Sequence, residues 1–541
     1  MMNGFVKARG TRVVNGKGEP FLLRGVGLGS WLLPEGYMWK MPPGGDRPRK
    51  IEAMILDLIG PDRAREFWIT YRNRYISRDD IRQIAAEGFN SIRIPLNYRN
   101  MVTDDGEGFD EAVLALVDRA IGWCRENGLY VILDLHGAPG GQTGANIDDS
   151  PNDLPELFTS EENRRRTIEV WRFLASRYRD ETCIAGYDLL NEPLPDHFAQ
   201  YNSQVMPLYR DIIRAIREVD PHHMIILEGL HWATDWSIFT DKPDDNLMLQ
   251  FHKYWNNPDA ESLKPFLDKQ AELEAPLFMG EGGENNIDWY TGAFRLFEDL
   301  EISWNFWTWK KMDTTNSPCS IDIPRGWNEL TGYLEGGAKP GPGRSEAVLW
   351  QYLDNMEFRN CRYRPEVVNA LFRRPPVQIP AAFYNYQGGG KGFGILRRRQ
   401  SQTGFRSTDG TDIRFITGNR EKASFAHGEG QKWQDDEKLC VGLTSGEWLA
   451  WDFLIPVGPI PGGFSLTLSL SAPEGAGGVE AALDGKPLES CEVEGGGSRE
   501  LMLAPDLVLE PGPHRLVVKA VTGLLLLEWI EITPVTKGEE A

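Results

Sequence analysis

Over its first 375 residues the chain repeats one pattern: a short, near-continuous apolar run, then a longer amphipathic stretch. The runs are FLLRGVGL (21–28), SIRIPL (91–96), YVILDLH (130–136), AGYDLLN (185–191), MIILEG (224–229), LMLQFH (247–252), PLFMGE (276–281) and ISWNFWTW (302–309). Strands without polar alternation are buried on both faces, which suits a parallel sheet covered by helices. RDDIRQIAAEG, EAVLALVDRAIGWCRENG and NRRRTIEVWRFLASRYRD have helical spacing and lie between runs. Eight strand–helix alternations over this length predict a closed (β/α)8 barrel rather than a doubly wound sheet.

Near residue 373 the pattern stops. RRPPVQIP (373–380) reads as a linker or domain seam, since proline cannot continue a helix. Beyond it come glycine clusters and short β-rich runs such as EWLAWDFLIPV, FSLTLSLSA, HRLVVKAV and LLLLEWIEIT. These predict a β-sandwich. The expected division is a catalytic barrel over 1–375 and a sandwich over 376–541. A chain of 541 residues is long enough for two such cores.

Charge and cysteine content narrow the function. With 58 basic and 79 acidic side chains the formal net charge is −21, which repels nucleic-acid phosphates. Mean hydropathy is −0.40. The longest apolar run, Gly523 to Leu527, is too short for a bilayer. Neither a nucleic-acid nor a membrane partner is expected. The six cysteines include no CxxC pair, so a zinc site has no support. His222 and His223 follow Asp-Pro and read as a solvated loop. The start of the sequence shows no apolar signal region, so a cytoplasmic protein is expected, or a secreted one if a leader has been trimmed.

In a (β/α)8 barrel, reacting groups sit where strands run out at their C-terminal ends. Two glutamates stand there: Glu192 after YDLL and Glu281 after LFMG. A pair of carboxyl groups is what glycosidic cleavage requires, one to protonate the leaving oxygen and one to attack the anomeric carbon or activate water. Polar residues gather at the other strand ends: Arg93, Asp134, His136, Asn191, His252, Tyr254, Trp307 and Trp309. His231, Trp232 and Asp235 are candidates for the rim.

RGVGLGSWLLPE, RIPLNYR, DLHGAPGGQTG, LLNEP, HKY, GEGG and FWTWK, in this order, resemble glycoside hydrolase family 5, most closely its exo-β-1,3-glucanase type, over residues 20 to 312. The resemblance implies a retaining β-glycosidase with Glu192 as acid/base and Glu281 as nucleophile. It implies that Asn191 holds the substrate 2-hydroxyl, that Arg93 keeps the nucleophile ionised, and that Tyr254 hydrogen-bonds Glu281. His136 and His252 would line the subsite of the cleaved sugar, with Trp307 as its floor and Glu35 reaching the non-reducing end. The expected substrates are β-glucosidic oligosaccharides or glycosides attacked from the end. β-Mannosidase, β-galactosidase, arabinosidase or endo-glucanase activity on the same scaffold are the alternatives, and a sugar-binding protein on an inactive barrel is the non-enzymatic one. After Glu281 the chain reads GGENN where the exo-glucanases tend to have Trp-Ser. The tail resembles carbohydrate-binding modules of families 6 and 35, which often hold a structural calcium. Ala381, Ala382 and Phe383 stand where acidic residues usually open that domain, and no cofactor or metal is expected. Trp433, Trp448 and Trp451 are candidate sugar-stacking residues there, the last two better suited to the interior.

Overall fold

The computed structural model describes residues 4–103, 106, 108–418, 420–458 and 462–535. Eight parallel strands close into a barrel: β1 (Arg24–Gly27), β2 (Ser91–Asn97), β3 (Tyr130–Gly137), β4 (Ile184–Asp188), β5 (Met224–Glu228), β6 (Leu247–Lys253), β7 (Leu277–Gly283) and β8 (Ser303–Trp307), in the order β8-β1-β2-β3-β4-β5-β6-β7. All seven residues of β2, β6 and β7 are buried, as expected of strands covered on both faces. An N-terminal hairpin, Lys7–Arg9 with Arg12–Val14, lies at one end. Its Val13, with the preceding Val6, shares an apolar cluster with Leu23, Met224, Met248 and Phe278. Those residues lie at or just before the starts of their strands, so the hairpin plugs the barrel at the end opposite the strand C-termini.

Helices Arg78–Ala86, Glu111–Asn127, Glu161–Tyr178, Val205–Arg217, Ala260–Leu273 and Ile287–Asp299 make the crossovers. The alternation is incomplete between β5 and β6. There the helical element is the four-residue Leu230–Ala233, and His231, Trp232 and Ala233 all have left-handed φ, at 52°, 59° and 62°. Helix starts follow local chemistry. Ser77 and Asp80 form a reciprocal capping box on Arg78–Ala86. Asp80 also accepts Trp309 Nε1 at 2.9 Å and pairs with Lys310 Nζ at 2.6 Å, so one cap fixes the chain just after β8.

The chain clusters into two compact units. The barrel unit comprises Met1–Lys253, Pro265–Gly282 and Ile302–Tyr363; the second comprises Tyr254–Lys264, Gly283–Glu301 and Arg364–Ala541. Two antiparallel sheets dominate the second. One is ordered Asp412–Phe415, Leu439–Thr444, Leu524–Pro534, Phe464–Ala472, Gly496–Leu507, with Val377–Pro380 also pairing Leu524–Pro534. The other is built on Trp448–Ile455, Gly512–Thr522 and Gly477–Leu483.

Two local expectations are corrected. RRPPVQIP is not a free linker: Arg373 is buried and donates to the carbonyls of Thr291 (2.8 Å) and Phe383 (2.6 Å), and Val377–Pro380 is a strand. His223 is not solvated. It is fully buried, with Nδ1 2.5 Å from Asp220 Oδ2 and 3.1 Å from the Tyr187 hydroxyl. The Asp220-Pro221 turn supplies an acid that pairs the imidazole where it enters β5, which a reading of polarity alone overlooks. No helix among the described residues is long and apolar enough to cross a membrane.

Candidate active site

Acids from β3, β4, β5 and β7 converge on a buried guanidinium. Arg93, on β2, is fully buried. Its Nε lies 2.9 Å from Asp188 Oδ2 on β4, and its Nη2 lies 2.8 Å from Asn191 Oδ1, 3.1 Å from Glu228 Oε1 on β5 and 3.2 Å from Asp134 Oδ2 on β3. Its Nη1 makes a close ion pair with Glu281 on β7. Burial opposes the charge on Arg93, but four carboxyl groups outweigh it and hold the guanidinium firmly protonated.

Glu192 ends the short loop after β4. The loop is held by Trp171 Nε1 donating to the Leu189 carbonyl (3.0 Å) and by the Asn191 amide donating to the Leu135 carbonyl (3.2 Å). Gln142 Nε2 donates to the carbonyls of both His136 (2.7 Å) and Asn191 (2.9 Å) and so ties this loop to the end of β3. Glu192 itself has φ 47°, in the left-handed region. That backbone turns its carboxyl group to His252 on β6, with Oε1 2.6 Å from Nδ1. The same Nδ1 is 3.7 Å from Glu281 Oε2. One oxygen of Glu192, one nitrogen of His252 and one oxygen of Glu281 all lie within 4.8 Å of one another.

The electrostatics divide the histidines. Burial disfavours a charged His252, but Glu228, Glu281 and Glu192 together raise its pKa well above the ordinary imidazole value. Burial likewise pushes Glu192 up, and the facing His252 more than reverses this, so Glu192 lies below the usual carboxylate range. His136 differs: burial depresses it to about 4. Its Nδ1 is 2.8 Å from Asp134 Oδ2, and burial raises Asp134 to about 7 despite Arg93.

Trp307, at the end of β8, is buried and stacks parallel to His136, with centroids 5.5 Å apart and planes within 1°. Its Nε1 donates to the Tyr37 hydroxyl at 2.9 Å. Room for the indole comes from β1 and the residue after it. In RGVGLGS, Gly25, Gly27 and Gly29 alternate and project to one side. A Cβ on Gly27 would lie 2.6 Å from the indole, and one on Gly29 2.8 Å from it. Trp309 is fully buried, engaged with Asp80. Glu35 is buried, and its amide donates to Ser30 Oγ at 3.4 Å, an oxygen that also accepts from Trp39 Nε1.

The barrel unit thus gathers Arg93, His136, Asn191, Glu192, His252, Glu281 and Trp307 into one network. Tyr254 groups with the second unit, half-buried, where its carbonyl accepts from Asn285 Nδ2 at 2.9 Å. Asn285 also donates to the Phe425 carbonyl (2.7 Å), and Asn286 caps helix Ile287–Asp299 by accepting the Trp289 amide (2.9 Å). The asparagines of GGENN are therefore bound up in that unit's own framework. Trp451 is fully buried there, and Trp433 packs among Phe383, Phe425 and His427. Reading the sequence alone left Asp188, Glu228 and Gln250 out of the site. The available signal was a polar residue inside an otherwise apolar strand, which has to be bonded to something when buried.

A parallel barrel with acids at its strand ends defines the class of a (β/α)8 enzyme scaffold. Residues 60–313 match the family described as Cellulase (glycosyl hydrolase family 5). Among similar proteins, a beta-xylosidase of Phanerodontia chrysosporium is 32% identical over 276 residues, covering 50% of this chain and 56% of its own. A probable glucan 1,3-beta-glucosidase A of Aspergillus fumigatus is 30% identical over 239 residues, covering 43% and 56%. Endoglucanase C of Acetivibrio thermocellus is 26% identical over 302 residues, covering 44% and 85%. The chain thus spans about half the length of the first two of these relatives. The solved structure of Thermotoga maritima Cel5A with mannotriose aligns at 18% identity and a TM-score of 0.39, covering 53% of this chain and 90% of its own.

Proposed function

We propose that the protein is a retaining β-glycoside hydrolase that releases terminal sugars from β-glucosidic oligosaccharides or glycosides, with Glu281 as nucleophile and Glu192 as acid/base. The observation that carries this reading is the approach of the two carboxyl groups, with oxygens within 4.8 Å across His252. Retaining glycosidases hold their carboxyls about 5–5.5 Å apart, whereas inverting ones need about 6.5–9.5 Å to admit a water. In the first displacement Glu281 attacks the anomeric carbon while Glu192 protonates the leaving oxygen. In the second, water attacks the glycosyl ester and returns its proton to Glu192. Arg93 pairs with Glu281 and holds its carboxyl group in place for attack. Glu192 and His252 share the proton that the leaving oxygen receives. Asn191, His136 and His252 face the sugar hydroxyls, Trp307 is the apolar floor, and Glu35 reaches the far hydroxyls. We assign no metal to the cluster, because Arg93 and His252 already supply its positive charge.

The glucan 1,3-beta-glucosidase name among the relatives favours a glucosidic substrate, and the beta-xylosidase favours a pentose as the second reading. A panel of aryl β-glycosides separates the sugars, and NMR of the first-formed anomer tests stereochemistry. A β-anomer is expected; an α-anomer overturns the mechanism. Glu281→Gln should abolish turnover, a loss of about 10⁴-fold or more. Glu192→Gln should slow phenyl glycosides about 10²-fold or more while sparing dinitrophenyl ones, whose leaving group needs no proton. Equal losses on both would refute its assigned role.

A further inference from the structure

One buried acid of the cluster takes part in neither displacement. Glu228 is the last residue of β5 and is fully buried. Its Oε2 accepts the backbone amide of Glu192 at 2.7 Å. Its Oε1 accepts Arg93 Nη2 at 3.1 Å and makes a close hydrogen bond with Gln250 Nε2. The same oxygen lies 3.4 Å from His252 Nε2, on the edge of the imidazole opposite the one facing Glu192. Tyr209, from helix Val205–Arg217, anchors the Glu228 carbonyl at 2.9 Å. The left-handed backbone of Glu192 is a strained conformation for a non-glycine residue, and its own N–H is the group Glu228 binds.

We propose that Glu228 is the positioning residue of the acid/base: it holds Glu192 in its left-handed backbone and completes a row, Glu192–His252–Glu228, in which one imidazole lies between two carboxyl groups. The proposal rests on the reading of Glu192 as acid/base. The charged groups that face Glu228 are Arg93 on β2, Asp188 on β4, Glu192 after β4 and His252 on β6. Glu281 and Asp134 face the same His252 and Arg93. Where Glu228 is ionised, removing its charge from this set lets Glu192 and His252 lose their protons at lower pH, so the effect falls on the alkaline limb. Conversion to an amide leaves one oxygen for two sets of donors; with that oxygen held by Arg93 and Gln250, the NH2 group faces the Glu192 N–H and the backbone of Glu192 loses its acceptor.

The test compares Glu228→Gln, Glu228→Asp and Glu192→Gln on phenyl and dinitrophenyl glycosides of the sugar the aryl panel selects. For Glu228→Gln the expected result is a loss at least about ten-fold greater on the phenyl than on the dinitrophenyl substrate. The alkaline limb of kcat/KM should move down by about half a pH unit or more, with KM little changed. Glu228→Asp keeps the charge and withdraws it by one methylene, so it should keep the limb and show only the leaving-group effect. It also serves as the test if the amide variant does not fold. Uniform losses on both substrates with an unmoved limb would reduce Glu228 to a brace and overturn the proposal. If Glu192→Gln itself shows no leaving-group dependence, the acid/base reading has failed instead. If it shows one and neither Glu228 variant does, only the present inference falls.

Discussion

Around Arg93 a count of charge decides which acids can ionise. Arg93 and a protonated His252 face Asp134, Asp188, Glu192, Glu228 and Glu281, two cations against five carboxyl groups, of which only Glu192 is appreciably exposed. Burial accordingly raises Asp188 to about 6 and Glu228 to about 8, against the pull of Arg93 and His252. An acid raised on folding favours the native state below the ordinary carboxylate pKa and costs stability as pH climbs to its folded value. Asp188 therefore helps at pH 4 and has lost that help by about pH 6. His136 and Asp134 shift in opposite senses, to about 4 and about 7, and their slopes oppose one another across the same window. We expect Asp188→Asn to reduce the fall in unfolding free energy between about pH 4 and pH 7 by on the order of 1–3 kcal/mol in urea titrations. An unchanged slope would place the excess protons elsewhere. At this scale the meeting of Glu192, Glu281 and their immediate company was legible, because each stands in a motif at a strand end. Asp188, Glu228 and Gln250 were not. Each sits inside an apolar run, and its meaning comes from partners on other strands, which one sequence does not pair.

The strands were legible to within a few residues, since burial on both faces leaves a continuous apolar signature. The gap between β5 and β6 was not. His231, Trp232 and Ala233 turn left-handed with no glycine or asparagine among them to signal it. The turn is stitched by hydrogen bonds between Leu230 and Asp235 and by the His231 amide donating to the Leu194 carbonyl at 2.8 Å. The strand interiors impose tighter limits than their hydropathy suggests. Gly280 precedes Glu281, and a Cβ there would lie 2.1 Å from the Gln250 amide carbon. Gly280→Ala should cost about 1–3 kcal/mol and, by displacing Gln250 from Glu228 and His252, lower kcat. Gly27→Ala should push against Trp307 and raise KM more than it lowers kcat, as a floor residue should. Thermal melts with Michaelis kinetics on one aryl glycoside check both, and unchanged KM for Gly27→Ala would argue against Trp307 as the floor.

For the whole molecule, the change of character near residue 373 was legible in glycine, proline and strand spacing. The membership of Tyr254–Lys264 and Gly283–Glu301 in the second unit was not, since both lie between barrel strands in the sequence. Helix Ile287–Asp299 buries Trp289, Tyr290, Phe294 and Phe297, and its partners within that unit include helix Pro365–Phe372 and strand Val377–Pro380. We therefore expect a fragment ending at residue 375 to lose activity and to expose apolar surface, read by dye binding and light scattering. A soluble, fully active fragment would establish the barrel as an independent domain. The chain passes between the units at Lys253–Tyr254, Lys264–Pro265, Gly282–Gly283, Glu301–Ile302 and Tyr363–Arg364. During synthesis, the segment emerging just after Glu281 must wait for its partners Pro365–Phe372 and Val377–Pro380, about 80 residues later. At translation speeds of about 5–20 residues per second that delay is roughly 4–16 s, so the nascent polypeptide carries its middle segment unpaired while synthesis goes on.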